Sequence, residues 1–260
     1  MTIGAIPSQG GVEAAIRRAS ASTGVDFDFL LKTAQRESAM NPGAKARTSS
    51  AAGLFQFIEQ TWLSTLKQYG GRHGYGQYAD LIYRGQDGRW RVDGAARNVV
   101  LDLRYDPVAA SAMAGELTAS NAAYLRGRIG REPTAGDLYA AHFLGPAGAA
   151  RLVEAVNTQP GASAAALFPQ AAAANRPIFY RDGRPATVGE VYANLSSKAG
   201  QGVPVAGGAL PDPLSPKDRA LADQMDRMRQ DQGLLALLLG QDGDQADAGF
   251  RRAFVGIADA

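Results

Sequence analysis

The sequence predicts a mainly α-helical fold with a glycine- and tyrosine-rich insertion and a C-terminal helical extension. Strand-type alternation is scarce, whereas alanine- and leucine-rich stretches recur at helical spacing. Glycine and proline punctuate these stretches where helices are expected to end. Hydrophobic residues make up 45% of the 260 residues, so a sizeable core can form.

The predicted helices are bounded by recognisable end signals. Gly24 is placed to end the first helix in a left-handed cap, and Asp26 or Asp28 to cap the second. Pro107 at a first helical position and Thr134 as an N-cap mark later starts. The helices are expected at about residues 12–22, 26–39, 53–69, 106–125, 135–143 and 147–156.

The domain organisation follows from changes in composition. Residues 1–198 are expected to form one domain with a core of about 12–157, followed by a Gly/Pro linker at 199–216 and a helical, partly flexible tail at 217–260. Residues 70–94 are expected to be a long loop with one short helix. Its aromatic residues, Tyr75 to Trp90, either stack on a ligand or pack on the domain.

Composition excludes several classes of protein. A formal net charge of +2 is too small for a dedicated nucleic-acid-binding surface. The chain has no cysteine, so disulfides and thiolate metal sites are excluded. His73 stands alone, so no metal site or cofactor is expected. The start of the chain lacks the features of a signal peptide, and no apolar run is long enough to span a membrane.

One carboxylate stands out on the second predicted helix. Phe27, Leu30, Leu31 and Ala34 form its apolar stripe, and Glu37 falls on the same face. Burial there is expected to raise the pKa of Glu37, as a general acid near neutral pH requires. A structural glutamate at the helix end is the alternative.

Three segments in order resemble the soluble lytic transglycosylase (SLT) family, whose fold is lysozyme-like. Arg36-Glu37-Ser38 through Pro42 resembles the family's Glu-Ser dipeptide at a helix end. Gly53-Leu54-Phe55-Gln56-Phe57 resembles its Gly-Leu-Met-Gln segment, with Phe55 in the usual Met place. The stretch Tyr139 to Pro146 is similar to its Ala-Tyr-Asn-Ala-Gly-Pro segment, but here His142 and Phe143 stand for Tyr and Asn.

The resemblance implies a reaction that uses a single carboxylate. Glu37 would protonate the glycosidic oxygen between N-acetylmuramic acid and N-acetylglucosamine, and would then remove the proton from the C6 hydroxyl. A 1,6-anhydromuramyl product results without water. No Asp or Glu occurs between Ser38 and Ile58, whereas ordinary glycosidases use two carboxylates.

The resemblance also implies a set of substrate-binding residues. A late tyrosine often joins the family's cleft, and Tyr192 is preferred here over Tyr180. Alternatives stay open for several members: a hydroxyl bonded to its own helix for Ser38, a solvent-facing helix position for Gln56, and core packing for the two phenylalanines of the second segment. The expected substrate-binding residues are Ser38, Phe55, Gln56, Phe57, His142, Phe143 and Tyr192.

Two other functions remain compatible with the sequence. A hydrolytic muramidase of the same fold would need a second acid, for which Asp87, Asp93 and Asp102 are candidates. An inactive glycan-binding scaffold is the other. The expected partners are peptidoglycan strands and, through residues 217–260, a flagellar or secretion apparatus. The expected location is the periplasm or cell envelope of a bacterium.

Overall fold

The computed structural model describes residues 9–47 and 49–199, and this part of the chain is mainly helical, as predicted. The α-helices are α1 (Gln9–Thr23), α2 (Phe27–Ser38), α3 (Glu59–Tyr69), α4 (Gly76–Asp80), α5 (Ala96–Asp102), α6 (Pro107–Ile129), α7 (Ala135–Leu144), α8 (Pro146–Thr158), α9 (Ala164–Leu167), α10 (Pro169–Ala174), α11 (Arg176–Phe179) and α12 (Val188–Ala199). Short 3₁₀ helices occupy Gly70–His73 and Leu103–Tyr105. Strand β1 (Tyr83–Arg84) pairs with β2 (Trp90–Arg91), and β3 (Tyr180–Arg181) with β4 (Arg184–Pro185), both antiparallel.

Helix α6 is the common packing partner of α1, α3, α7 and α8. Its residues 109–116 are all buried, and most of them are alanine or glycine. These small side chains allow close helix contacts: a Cβ on Gly115 would lie 2.6 Å from Oγ1 of Thr23 on α1. Helix α7, which carries part of the site described below, is therefore held against α6, and α2, which carries another part, also contacts α6.

The residues predicted to cap helix starts do so in the structure. Asp26 accepts a hydrogen bond from the Phe29 amide at 2.8 Å, and Asp106 accepts from the amides of Val108 and Ala109. Thr134 and Asp137 form a reciprocal capping box at the start of α7. These side chains satisfy amides that the first turn of a helix leaves without partners. The predicted starts of α2, α6 and α7 are confirmed.

The predicted start of the third helix at residues 53–57 is wrong, because α3 begins at Glu59. Residues 53–57 form a turn closed by paired backbone hydrogen bonds between Ala52 and Phe57. Gly53 and Gln56 have φ values of 78° and 47°, in the left-handed region, which interrupts a helix. A Cβ on Gly53 would lie 1.8 Å from the carbonyl oxygen of Arg104.

The segment 70–94 holds more regular structure than expected. It contains a 3₁₀ turn, α4 and the β1–β2 hairpin, and α5 follows where no helix was predicted. Tyr75, Tyr78 and Trp90 pack against the core, whereas Tyr83 is 43% exposed and donates a hydrogen bond to Asp93 at 2.6 Å. Most aromatic residues of this segment therefore serve packing.

The last described part of the chain folds back onto the preceding helices. Helix α12 packs against α2, α7 and α8, and Phe179 of α11 is fully buried. Helix α12 reaches Ala199, one residue past the predicted domain boundary. The predicted linker beyond that residue and the predicted tail at 217–260 lie outside the described residues. In the described ranges, none of the helices combines the length and apolar character that crossing a membrane requires.

Candidate active site

The last turns of α2 and α7 meet where the Glu37 carboxylate approaches the His142 imidazole. Oε1 of Glu37 lies 3.3 Å from Nε2 of His142. The Glu37 side chain is 21% exposed and that of His142 is 40% exposed. The pair therefore lies at the surface, with the carboxylate set deeper than the imidazole, and a ligand from solvent can reach both.

A layered set of side chains supports this pair. The ring of Tyr139 stacks beside that of His142, with centroids 6.1 Å apart and planes 27° apart. The guanidinium of Arg36 lies 4.6 Å from the centroid of the Tyr139 ring, in a cation–π contact. Because Arg36 and Tyr139 stand on the same two helices as Glu37 and His142, each contact reinforces the other.

The pKa of Glu37 differs from the expectation. Burial raises it and is the largest influence, but the hydrogen bond and charge of His142, together with the charge of Arg36, outweigh burial. The pKa of Glu37 therefore lies below its ordinary value, and the prediction of a raised pKa is wrong. Helical periodicity placed Glu37 on the buried face but carried no information about the cation on α7.

The backbone after Glu37 turns sharply. Ala39 and Met40 have φ values of 51° and 65°, and both lack the freedom of glycine. The Ala39 amide donates to the Gln35 carbonyl and the Met40 amide to the Ala34 carbonyl, which closes the helix end. Non-glycine residues in this region cost about 1 kcal/mol each and often occur near functional sites.

Ser38 and Gln56 join α2 to the turn at 53–57. The Ser38 hydroxyl is 3.1 Å from the Ala34 carbonyl oxygen and 2.8 Å from the Leu54 carbonyl oxygen. The Gln56 amide donates to the carbonyls of Ala44 and Gly53. The alternative for Ser38, a hydroxyl bonded to its own helix, describes the first of these contacts, and the second holds the neighbouring turn. The expected role of Ser38 in binding substrate stays a prediction.

Three other expected binding residues, all phenylalanines, have packing contacts. Phe55 and Phe57 are each 5% exposed, and Phe57 packs edge-on against Trp62 with centroids 5.2 Å apart. Phe143 stacks on buried Phe179. Core packing, one of the alternatives considered, describes the two phenylalanines of the turn.

The preferred late tyrosine lies at the other end of α7. The Tyr192 hydroxyl donates to Oδ1 of Asp137 at 2.8 Å, in the first turn of the helix. His142 is in its last turn, five residues away, which is about 7.5 Å along the axis. Tyr180, the other candidate, stacks with Arg176. Neither tyrosine is brought to Glu37 by a described contact.

Two residues of the site stand in the motif segments but were not among the expected catalytic or substrate-binding residues. Arg36 directly precedes Glu37, and Tyr139 lies three residues before His142, one helical turn away. Their adjacency to the motif residues was a usable signal. Lys198, on α12, belongs to the same neighbourhood, since burial and the charge of Arg36 lower its pKa.

The proposed second acids are engaged elsewhere. Asp87 pairs with Arg91 at 2.7 Å, Asp93 accepts from Tyr83, and Asp102 is exposed on α5. Within the described ranges, none of these carboxylates contacts Glu37. The same part of the chain contains no cluster of three or more His, Cys, Asp or Glu arranged to hold a metal ion.

Residues 14–81 match the family model of the transglycosylase SLT domain. The match is consistent with the SLT family of the lysozyme-like superfamily. The match runs from α1 through α4 and includes Glu37, Ser38 and Gln56, whereas His142 lies beyond it. The mainly helical SLT fold is lysozyme-like, and the SLT domain indicates a transglycosylase-type function on peptidoglycan in the cell envelope.

Proposed function

We propose that this SLT protein is a lytic transglycosylase that cleaves the β-1,4 bond between N-acetylmuramic acid and N-acetylglucosamine and forms a 1,6-anhydromuramyl end. One observation carries the proposal. Glu37 is a half-buried carboxylate at a helix end inside the SLT match, accessible from solvent and flanked by His142 and Arg36.

The proposed reaction uses Glu37 twice. Its protonated form donates to the glycosidic oxygen as the bond to C1 breaks, and the resulting carboxylate then removes the proton of the C6 hydroxyl as O6 closes onto C1. The charge of Arg36 stabilises the carboxylate in the second role. A sugar over Glu37 displaces water, which strengthens the effect of burial and favours the protonated form needed first.

The surroundings of Glu37 favour this reaction over hydrolysis. A two-carboxylate glycosidase needs its second acid about 5 to 10 Å from the first. The three acids considered from sequence have their own partners or face solvent on other elements. A hydrolytic muramidase and an inactive glycan-binding scaffold remain the outcomes against which the proposal is tested.

The proposed substrate contacts are divided between two groups. His142, with Tyr139 beside it, offers an aromatic and polar surface next to Glu37 for the sugar. Ser38 and Gln56 act by holding the turn against the end of α2. We assign no sugar contact to Phe55, Phe57 or Tyr192, because their described contacts lie within the domain.

We further propose that the substrate is the peptidoglycan strand of a bacterial periplasm or envelope, and that residues 217–260 bind a wall-spanning apparatus. The tail proposal rests on the helical spacing of Leu221, Met225 and Met228. Affinity purification from cells with the full chain and with a chain ending at residue 216 tests it. Equal recovery of the same partners contradicts it.

The decisive experiment is mass spectrometry of muropeptides released from purified sacculi. The wild type is expected to release 1,6-anhydromuramyl products, and Glu37→Gln none. Glu154→Gln, which changes an exposed glutamate on α8, serves as the matched control and should retain activity. Products with reducing ends make the protein a hydrolase, and no release beside an active reference enzyme favours the scaffold.

A further inference from the structure

We propose that Glu37 and His142 share a single proton, and that a glycan seated over them moves it from Nε2 of His142 to Oε1 of Glu37. The inference rests on the proposed function and deepens it. Glu37 donates the proton, and His142 acts through Glu37 as a positioning residue that stores the proton between turnovers.

The geometry suits a direct transfer. The two atoms are 3.3 Å apart, and the transfer needs only a slight closer approach. The Tyr139 ring beside the imidazole limits its movement, and the Arg36 guanidinium in turn contacts the Tyr139 ring. The pair also spans two helices, so its separation is set by the packing of the domain.

Arg36, Tyr139 and Lys198 are the other titratable groups described beside the pair. Arg36 remains cationic. Burial, with a further contribution from the charge of Glu37, raises the pKa of Tyr139 despite Arg36, so this phenol stays neutral. Burial, followed by the charge of Arg36, lowers the pKa of the Lys198 ammonium below its ordinary value.

At the opposite end of α7, Asp137 is paired with Arg131. Histidine is the side chain whose ordinary charge change falls between about pH 5 and 8. The proton that the proposal moves is the one between Nε2 of His142 and Oε1 of Glu37.

Removal of water decides where this proton resides. In the open site, water stabilises the ionised form, a carboxylate beside an imidazolium. A bound sugar excludes water, and a less polar environment favours the form in which both partners are neutral. The acid is therefore generated when substrate is in place, although the pKa of Glu37 is low in the free protein.

The proton count balances over one turnover. The proton on Oε1 goes to the leaving O4 as the C1–O4 bond breaks. Oε1 then takes the proton of the C6 hydroxyl as the C1–O6 bond forms. The pair ends with one proton, as it began, and the proton returns to Nε2 when product leaves and water re-enters.

The test compares wild type with His142→Gln in two pH midpoints, that of the Glu37 titration in the free protein and that of the alkaline limb of kcat/KM. A shared proton predicts that the substitution moves these two midpoints in opposite directions. In the free protein, the Glu37 carboxyl, followed by carbon NMR, should titrate at a higher pH in His142→Gln because the imidazolium is gone. In the same variant, the alkaline limb of kcat/KM should move to a pH about one unit lower. The reason is that the Glu37–His142 pair loses its shared proton at a higher pH than Glu37 without the histidine does.

A histidine that only adds positive charge predicts otherwise. Activity would then follow the protonation of Glu37, and both midpoints would move up together in His142→Gln. A histidine that only contacts sugar would lower kcat/KM by the same factor at every pH. Either result overturns the proposal, as does a Glu37 titration that His142→Gln leaves unchanged.

His73→Gln is the matched control, since His73 also pairs with a glutamate but contacts Glu116 on α6. It should leave both midpoints where they are. If the wild type cleaves sacculi and the alkaline limb of kcat/KM is the same in wild type and His142→Gln, the shared proton is contradicted and the proposed function stands. A wild type that cleaves nothing contradicts the proposed function, and then the NMR midpoints still decide whether the two side chains are coupled.

Discussion

The hydroxyl of Ser38 bonds the carbonyl oxygen of Leu54 at 2.8 Å and thereby fastens the end of α2 to the turn at 53–57. Leu54 is fully buried, so its carbonyl group depends on internal partners. Glu37 directly precedes this anchor. The position of the carboxylate is therefore set by a hydrogen bond between segments 16 residues apart.

Ser38→Ala should lower the free energy of unfolding by about 1–2 kcal/mol, since a buried carbonyl loses its donor. It should also lower kcat more than it changes KM, because Glu37 loses its fixed position. Urea unfolding and steady-state kinetics measure the two effects. Ser22→Ala is the control, since Ser22 is exposed and its described bond is to its own helix; equal losses in both variants would contradict the anchoring role.

Gly53→Ala should destabilise the protein strongly, by about 3 kcal/mol or more, because the added Cβ would meet the Arg104 carbonyl and the backbone is left-handed. Gly24→Ala provides a matched control. Gly24 has a similar φ of 71°, but nothing lies within 4 Å of its added Cβ, so it should lose only about 1–2 kcal/mol. Thermal and urea unfolding check both, and similar losses would mean that the turn can shift.

Tyr192→Phe should reduce stability by about 1 kcal/mol and leave the turnover of sacculi unchanged. The hydroxyl donates to buried Asp137, and no described contact brings it to Glu37. Muropeptide release at several substrate concentrations, together with urea unfolding, separates the two effects. If Tyr192→Phe raises KM and leaves the free energy of unfolding unchanged, Tyr192 binds substrate and this prediction is wrong.

Asp137 should give the folded state an acid-sensitive contribution. Burial raises its pKa, but hydrogen bonds from Arg131, the Thr134 amide and Tyr192 outweigh burial and hold it below the ordinary value. A depressed folded pKa contributes stability above the unfolded value of about 3.9. That stability is lost as pH falls through the lower folded pKa.

Asp137→Asn should therefore cost about 2 kcal/mol at pH 7, and the gap to wild type should narrow as pH falls from about 4 toward 2. Urea unfolding at a series of pH values measures this gap. Asp80→Asn, at an exposed position on α4, should follow the wild type throughout. A gap that stays constant down to pH 2 would show that Asp137 acts only through the shape of its capping box.

Much of the fold could be predicted because the residues that start and end a helix lie next to it in the sequence. Asp26, Asp106 and Thr134 bond amides two or three residues away, so their roles are encoded by neighbouring residues. The turn at 53–57 could not be predicted in this way. Its conformation depends on the Arg104 backbone, which is remote in sequence and packs against Gly53.

For the candidate site, the sequence by itself determined the motif segments and the position of Glu37 on the buried face of α2, since both follow from residue order and helical period. Only the tertiary structure decided which residues meet. It set His142 3.3 Å from Glu37 and Arg36 over Tyr139, and it directed Tyr192 to Asp137. The direction of the Glu37 pKa shift was decided there as well, because a charge 105 positions away in the chain acts through space.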